Sequence, residues 1–356
     1  MALEGSRGPG GSPIWLGDAM TDTAVEYLGA GYFADPFTVH ERLRAQRPVA
    51  PVIMPGGTPA WLVTGYAEAR AALTDPRLRK MPPGWRPEPD SIFAVLEAHM
   101  LNSDPPDHER LRRLVNKAFT ARRVDQLRPR IAAITAELLD EMSTRQEVDL
   151  LASFAFPLPV TVICELLGVP VADRDDFRAW SNTIVSNTAT PDKYMAHATA
   201  MIRYFIALLL HPGELARLRA DRSLLGAAVE ELLRYVNPVN NATYRFAAEP
   251  VEIGGEQIGR GEVVLVALSG ANRDPSRYGD PDRLDLGRDS TGHLAFGHGS
   301  HYCLGAPLAR LEAEIAFGGL LERFGSMTLA VPPDALRWRP STLIHGLETL
   351  PVRLVP

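Results

Sequence analysis

The segment AFGHGSHYCLGAPLAR, residues 295–310, places one of the two cysteines of the chain among three glycines and two histidines. Pro307 suits the first turn of a helix. Apolar side chains then recur at roughly helical spacing, at Leu308, Leu311, Ile315 and Leu320. Cys303 is therefore predicted to lie just before a helix N-terminus, where the helix dipole and free backbone N–H groups favour a thiolate. A thiolate held by N–H donors in an apolar setting is suited to be an axial ligand of haem iron.

Two other interpretations of this segment stay open at this point. A free cysteine is often a small apolar filler of a core, with no chemical role. His298, His301 and Cys303 are also zinc-ligand types, although three clustered side chains without a second ligand pair make a poor structural zinc site. The haem interpretation gives a reason for the glycines, because a backbone without a Cβ can bend tightly and approach a flat macrocycle. Those glycines are Gly297, Gly299 and Gly305.

Composition restricts the class of protein. The chain has 356 residues, of which 46% are hydrophobic and 22% charged, as in a globular protein long enough to bury a cofactor. The formal charge of -6 gives no general attraction to nucleic acid or to an anionic membrane. We see neither an apolar run of membrane-spanning length nor the features of a signal peptide, and so expect a cytoplasmic protein. Cys164 lies in an apolar helical stretch and is interpreted as a core residue, so a disulfide is not expected.

The pattern along the chain is mainly helical, with a few strands. Apolar residues recur at helical spacing over 107–151 and 153–210, and the Pro-rich segment 81–90 is predicted to be a loop. Strand patterns with Gly-containing turns occur at 49–65 and 250–268. The Gly-, Ser- and Pro-rich residues 1–18 are predicted to be a flexible tail. We predict one mainly α domain with small β-sheets, an α+β fold, over residues 19–356.

The cysteine segment resembles the haem-binding loop of the cytochromes P450 of the bacterial soluble class. The shared pattern is Phe296-Gly297-x-Gly299-x-His301-x-Cys303-x-Gly305, which fixes an aromatic residue, three glycines and a cysteine at set offsets. The resemblance implies the cytochrome P450 fold and a haem b cofactor, iron protoporphyrin IX. It makes Cys303 the metal ligand, with Phe296, His301 and Gly305 at the cofactor. It covers most of the chain, from the first hairpin to the C-terminal segment LETLPVRL.

A pair of charged residues on one helix face adds to the resemblance. In AAVEELLRY, residues 227–235, Glu231 and Arg234 are three positions apart and share a face. On an exposed helix such a pair has little meaning, but the sequence is similar to the Glu-x-x-Arg motif of the P450 K helix. The family's network includes another arginine shortly before the cysteine loop, and Arg283 is the matching position. A buried network of this kind needs nearly complete hydrogen bonding.

A third set of residues matches the groups that hold the haem propionates in the family. Asp107 is a candidate helix cap, and it places His108 and Arg112 one turn apart on a single face. Without the resemblance, this is simply a cationic helix face. The resemblance assigns His108 and Arg112 to the propionates, a role that suits a guanidinium facing a carboxylate. It adds Arg245 and His301 as two further contacts.

One part of the family pattern is missing. Near residues 205–207 the chain passes from Phe205 almost directly into what matches the last turn of the long central I helix, and the Ala-Gly-x-(Asp/Glu)-Thr pattern of that helix is absent. No catalytic acid and alcohol pair is therefore assigned. Three explanations stay open: the segment belongs to the protein but not to the sequence printed here, the chain is a shortened relative with altered activity, or another subunit supplies the helix. The first is favoured because loss of the helix would leave a large cavity.

The resemblance thus implies a haem-thiolate monooxygenase that inserts one oxygen atom from O2 into a small organic molecule of secondary metabolism. Electrons are expected from a ferredoxin-type donor, attracted by a basic surface at Arg113, Lys117, Arg122 and Arg123, for which a merely solvated helix face is an equal alternative. The resemblance also implies, more loosely, a set of candidate substrate-pocket residues: Phe93, Leu96, Asn240, Asn241, Ala242, Thr243 and Ile344. The alternative function is an accessory protein that keeps the fold without oxidising a substrate. The oligomeric state is left open, and no nucleic acid or membrane partner is expected.

Overall fold

The computed structural model describes residues 25–85, 99–117, 119–169 and 203–355. The chain divides into two compact units, each assembled from three segments. Unit 1 comprises 1–117, 240–279 and 297–302, and unit 2 comprises 118–239, 280–296 and 303–356. The predicted tail over 1–18 and the candidate pocket residues Phe93 and Leu96 lie outside the described residues. The expectation of one domain over 19–356 stays a prediction.

Helices and short strands alternate along the chain, in agreement with the predicted mainly α fold with small sheets. The helices are α1 (Ala30–Ala34), α2 (Pro36–Gln46), α3 (Tyr66–Thr74), α4 (Asp107–Asn116), α5 (Ala121–Gln126), α6 (Arg128–Ser143), α7 (Pro157–Leu167), α8 (Pro212–Ala220), α9 (Leu225–Val236), α10 (Leu268–Ala271) and α11 (Ala306–Arg323). Residues 203–210 are also helical. The strands are β1 (Glu26–Tyr27), β2 (Val49–Ile53), β3 (Pro59–Val63), β4 (Leu78–Arg79), β5 (Glu147–Asp149), β6 (Arg245–Ala247), β7 (Val251–Ile253), β8 (Glu256–Ile258), β9 (Val263–Val266), β10 (Ser326–Leu329) and β11 (Pro351–Val355).

Unit 1 is built on a six-stranded sheet of order β1-β2-β3-β9-β6-β4. The predicted hairpin is confirmed: β2 and β3 are antiparallel and pair Val49 with Val63. The second predicted strand region is also confirmed, because β7 and β8 pair across the turn at Gly254 and Gly255, and β9 joins the main sheet. Strands β6 and β4 are paired neighbours at one end of this sheet. Arg245 is the first residue of β6, and Lys80 directly follows β4.

Unit 2 is a helical core with a three-stranded sheet of order β10-β11-β5. Its long helix α11 begins just after Gly305, has Pro307 in its first turn and buries Leu308, Leu311 and Leu320, as the spacing predicts. Helix α11 packs against α6 and α9. Cys164 in α7 is completely buried, which agrees with its interpretation as a core residue.

The helical residues 203–210 lie in the core of unit 2 at the predicted discontinuity. Phe205 is 1% exposed, and its ring centroid is 4.7 Å from that of Phe317 and 6.4 Å from that of Phe154. This aromatic packing shows why the short stretch around Phe205 is a tightly held core helix. No helix within the described residues is both long and apolar enough to cross a lipid bilayer.

Candidate functional site

Cys303 lies immediately before helix α11, as predicted, and is partly exposed. Its backbone N–H donates to the carbonyl of Phe296 at 2.8 Å, which closes the loop between the two residues. Its own carbonyl accepts from the N–H of Ala306 at 3.3 Å, at the start of the helix. The thiol is thus carried on a short, hydrogen-bonded turn at a helix N-terminus, where a thiolate is favoured.

Two loop glycines are required by backbone geometry. Gly297 and Gly299 both have φ of +74°, a region that side-chain-bearing residues rarely adopt. A Cβ on Gly299 would lie 3.0 Å from the carbonyl oxygen of Leu73, so a neighbouring backbone requires this glycine as well. The sequence analysis explained these glycines by the close approach of a macrocycle. The structure gives a different reason within unit 1, namely the positive φ of both residues and the Leu73 carbonyl beside Gly299.

The predicted network on α9 exists and is saturated with hydrogen bonds. Glu231 and Arg234 are both completely buried, and the carboxylate accepts from Nε and Nη2 of Arg234 at 2.7 Å each. It also accepts from Nε of Arg288 at 3.2 Å and from the hydroxyl of Ser290. The backbone N–H of Asp285 donates to it at 3.2 Å. Such complete pairing is what a buried ionic group needs in order to be tolerated.

The choice of Arg283 as the third member of this network was wrong. Its side chain is 64% exposed and pairs with Asp285 at 2.9 Å. Only its backbone carbonyl meets the network, because it accepts from Arg234 and Arg288. The guanidinium that reaches Glu231 belongs to Arg288, which is 14% exposed. Sequence reasoning chose the motif position, but the turns between 280 and 288 direct the later arginine inward.

In unit 1 the predicted propionate contacts His108 and His301 are brought together. Their ring centroids are 4.0 Å apart, and His108 is 2% exposed. Both ring nitrogens of His108 are buried without a hydrogen-bond partner among the described residues. Burial, and then the neighbouring Lys80, lower the pKa of His301 to about 2, and burial with Arg112 lowers the pKa of His108. Arg112 donates to the carbonyl of Tyr302 at 2.6 Å.

The same region holds two buried cations and one carboxylate. Arg245 is 4% exposed, its Nε is buried without a partner among the described residues, and burial lowers its pKa to about 10. Lys80 is 6% exposed, and its ammonium donates to the carbonyl and hydroxyl oxygens of Thr243. Asp104 accepts from the backbone N–H of Lys80 at 3.1 Å. We call these residues the cationic cluster: Lys80, Asp104, His108, Arg112, Arg245 and His301.

The cationic cluster fits a dianionic group. With both imidazoles neutral, its three cations exceed its one carboxylate by two charges, the charge of two carboxylates. Buried polar atoms without partners are costly, so the orphaned nitrogens of His108 and Arg245 indicate that an acceptor is missing from the protein alone.

The prediction that Asp107 caps helix α4 was wrong, because the residue preceding the helix is Pro106 and Asp107 already lies in the first turn.

The candidate pocket residues that the structure describes divide into two groups. Ala242 and Thr243 are half-buried in unit 1, and Ile344 is buried in unit 2. Asn240 and Asn241, in contrast, are at most 1% exposed and donate to the hydroxyl of Tyr32 at 3.0 and 2.7 Å. Their amides thus serve the internal packing of unit 1, and the pocket prediction is kept for the first group.

The zinc interpretation receives no support from the part of the chain that the structure describes. There, no group of three or more His, Cys, Asp or Glu side chains is arranged to hold a metal ion. His298 lies 3.4 Å from Arg70, measured from Nε2 to Nη2, within unit 1.

Sequence reasoning missed Lys80 and Arg288. A signal existed for Arg288, as a second arginine five positions after Arg283 in the same turn-rich segment. None existed for Lys80, because an isolated lysine after a two-residue strand has the sequence context of a surface residue. Only the pairing of β4 with β6 brings Lys80 to Thr243.

The sequence of the chain is similar to those of known proteins. The family described as Cytochrome P450 matches residues 215–343. The chain is 42% identical to the cytochrome P450 monooxygenase PikC of Streptomyces venezuelae over 388 positions, covering 92% of each protein. It is 39% identical to 6-deoxyerythronolide B hydroxylase of Saccharopolyspora erythraea over 402 positions, covering 93% of this chain and 99% of the relative. The chain therefore belongs to the cytochrome P450 family.

A solved structure agrees with this assignment. The cytochrome P450 PksS of the Bacillus subtilis bacillaene polyketide synthase superposes with a TM-score of 0.84 at 33% identity, covering 92% of this chain and 99% of that one. The predicted fold class is thereby confirmed. The comparison with the hydroxylase also bears on the missing segment: 93% of 356 residues is about 331, so about 71 of the 402 aligned positions have no residue in this chain.

The protein is accordingly a haem-containing monooxygenase of bacterial secondary metabolism, which transfers one oxygen atom from O2 to a small molecule and receives electrons from a ferredoxin-type partner. These relatives are named as monooxygenases and hydroxylases, so the alternative of a non-oxidative accessory protein is not favoured. When bound, haem supplies the iron centre at which O2 is activated.

Proposed function

We propose that Cys303 is the axial ligand of the haem iron and that the cationic cluster binds the two haem propionates. The single observation that carries the proposal is the excess of two positive charges in that cluster, together with the unpartnered nitrogens of His108 and Arg245. Arg112 and Arg245 provide charge-assisted donors to the carboxylates, and the imidazole N–H groups add neutral ones. Phe296 and Gly305 shape the loop that carries the thiolate.

The ligand assignment is tested by removing the thiol. Cys303→Ser is expected to abolish the carbon monoxide difference spectrum typical of thiolate-ligated reduced haem, because a hydroxyl is not a thiolate donor. Cys164→Ala, which removes the other thiol of the chain, is the matched control and should keep the spectrum. A thiolate-type spectrum that survives in Cys303→Ser would refute the assignment.

We further propose that the substrate belongs to the polyketide-derived compounds. The support comes from the names of two relatives. One is named as a hydroxylase of 6-deoxyerythronolide B, and the other belongs to a polyketide synthase system. Ala242, Thr243 and Ile344 remain the candidate contacts. A panel of macrolactones, linear polyketides and fatty acids, screened by the change in the haem spectrum on binding and then by product mass, tests this class. Spectral shifts confined to the fatty acids would contradict it.

The missing segment is assigned here to the natural protein. The support is the large cavity that loss of a central helix would leave. The alignment with the hydroxylase, in which about 71 positions have no residue in this chain, gives only the size of the difference. The intact mass of the polypeptide from its natural host, under denaturing conditions, distinguishes the explanations. A mass several kilodaltons above 38.9 kDa supports the proposal, whereas a match means a truly shortened chain.

Electron delivery is proposed to use the basic residues near α4 and α5. Arg113 and Lys117 are exposed in unit 1, beside Leu114, whose side chain is 60% exposed. Arg122 and Arg123 are exposed in unit 2. Arg113→Glu combined with Lys117→Glu should raise the ferredoxin concentration needed for half-maximal reduction, most strongly at low salt. The control is Arg353→Glu, at an exposed arginine that pairs with Glu147. A cytoplasmic location is part of this proposal and is tested by cell fractionation.

A further inference from the structure

Helix α9 carries two adjacent glutamates that turn to different partners. Glu231 belongs to the saturated network described above, whereas Glu230 accepts a two-pronged ion pair from Arg310. The distances are 2.6 Å from Nε and 3.0 Å from Nη2. His293 adds a third contact, since its Nε2 lies 3.1 Å from the same carboxylate. The carboxylate of Glu230 therefore joins α9, α11 and the segment that leads to the cysteine loop.

The hydrogen bonds around His293 determine its tautomer. Its Nδ1 accepts the backbone N–H of Ala295 at 3.1 Å, so the proton lies on Nε2 and is donated to Glu230. The imidazole side chain is only 3% exposed. Through these two hydrogen bonds, the His293 ring links the carboxylate of Glu230 to the backbone of Ala295, the residue just before Phe296.

Arg310 reaches the same loop from the other direction. Its guanidinium carbon lies 4.6 Å from the ring centroid of Phe296, within the range of a cation–π contact. The His293 ring centroid is 6.0 Å from that of Phe296. The Phe296 ring therefore contacts both Arg310 and His293. The backbone carbonyl of Phe296 accepts the N–H of Cys303 at 2.8 Å. A continuous chain of contacts runs from Glu230 to the backbone of the thiolate.

We propose that Glu230, His293 and Arg310 form a positioning network that fixes Phe296, and through it the peptide of Cys303, and so sets the electronic environment of the haem thiolate. This inference rests on the proposed ligand role of Cys303. Glu230 neutralises the charge of Arg310 beside the loop, so the network supplies both rigidity and charge balance. It touches neither substrate nor reacting atoms, and its members are positioning residues.

Two single variants break the same ion pair and leave opposite charges. Glu230→Gln leaves the Arg310 cation unbalanced, which should raise the reduction potential of the haem by favouring the electron-rich state. Arg310→Met leaves the Glu230 anion, which should lower the potential. A merely structural role would shift both potentials in the same direction or leave both unchanged. Arg310→Lys, which keeps the charge, should restore the potential close to that of the unmodified enzyme.

Loop rigidity has its own readout in the same holoenzymes. Both Glu230→Gln and Arg310→Met should lose the thiolate-type carbon monoxide spectrum about tenfold faster, the factor that corresponds to about 1.4 kcal/mol in a barrier. Arg130→Met is the matched control, because Arg130 makes an equally two-pronged pair with Glu165, at 2.8 Å for both contacts, on the surface of unit 2. It should change neither the potential nor the rate.

The outcomes separate the two proposals. If the unmodified enzyme lacks a thiolate-type spectrum, the ligand role of Cys303 fails first. If that spectrum is present but Glu230→Gln and Arg310→Met leave potential and decay rate at the values of Arg130→Met, the positioning network is refuted while the ligand assignment stands. Equal shifts of the potential in one direction would also refute it.

Discussion

The Glu231 network of unit 2 and the cationic cluster of unit 1 differ in how completely their buried polar groups are paired. In unit 2 the carboxylate of Glu231 receives hydrogen bonds from two arginines, a serine hydroxyl and a backbone N–H. In the cationic cluster of unit 1, buried nitrogens of His108 and Arg245 have no partner among the described residues, and the three cations of the cluster outnumber its one carboxylate. A buried ionic group is tolerated when it is completely paired, whereas one that lacks acceptors is costly unless a bound ligand supplies them. The difference separates the structural network from the proposed cofactor site.

The largest effect is expected from breaking the saturated network. Arg234→Leu would leave Glu231 as a buried carboxylate without its two-pronged partner, which costs on the order of 3–5 kcal/mol. We expect little soluble, haem-loaded protein, measured by the yield and the thermal midpoint of the purified enzyme. Wild-type stability of this variant would contradict the comparison. Arg353→Leu, at an exposed pair, is the control and should behave normally.

Breaking the cationic cluster should affect haem retention far more than folding. Arg245→Met removes one buried cation and one unpartnered nitrogen, and so should not lower the thermal midpoint of the haem-free chain. The lost charge-assisted contact to a propionate is worth roughly 1.5–3 kcal/mol, or about tenfold to a hundredfold in affinity. Transfer of haem to excess apomyoglobin measures this loss. His108→Leu should act in the same direction, and unchanged transfer in both variants would show that the cluster binds something else.

A pH titration sharpens the comparison, because unit 2 also contains a buried carboxyl that the paired network does not include. Burial raises the pKa of Glu312 on α11 to about 8, from an ordinary value of 4.5. The folded state then binds the proton more tightly than the unfolded state, so the free energy of unfolding falls as pH rises from about 4.5 to about 8. A difference of one pKa unit between the folded and unfolded states changes the free energy of unfolding by about 1.4 kcal/mol.

Glu312→Gln should remove this pH dependence. The measurement is denaturant unfolding at pH 5 and at about pH 8. The free energy of unfolding of the variant, relative to that of the unmodified enzyme, should increase as pH rises. Gln does not ionise, so its advantage should be greatest on the alkaline side. Parallel curves for the two proteins over this window would mean that Glu312 is not held neutral in the native state.

The smallest effects concern the two arginines before the cysteine loop. Arg283→Ala removes an exposed pair and should change the unfolding free energy by no more than about 0.5 kcal/mol. Arg288→Ala removes a buried contact to Glu231 and should cost roughly 1–3 kcal/mol. Thermal unfolding of both variants, side by side, tests which arginine belongs to the network. The reverse order would restore the sequence-based choice of Arg283.

Much of the fold was accessible from local patterns. The hairpin around Gly56 and Gly57 needs positive φ at its turn, and the structure has +90° and +86° there, so turn chemistry and strand alternation agree. Helix α11 was equally clear, since Pro307 and the apolar spacing act within a few residues of each other. The division into two units of interleaved segments was not accessible, because it depends on contacts between distant parts of the chain.

For the site, the sequence by itself determined which chemistry is present: a cysteine before a helix, a Glu-x-x-Arg pair on one face and cations at motif positions. These are properties of residue type and short spacing. Only the tertiary structure decided that Arg288 rather than Arg283 reaches Glu231, that Lys80 joins the cationic cluster, and that Asn240 and Asn241 bind Tyr32. Turn direction and strand pairing settle these contacts, because each contact joins residues far apart in the sequence and only the folded backbone brings them together.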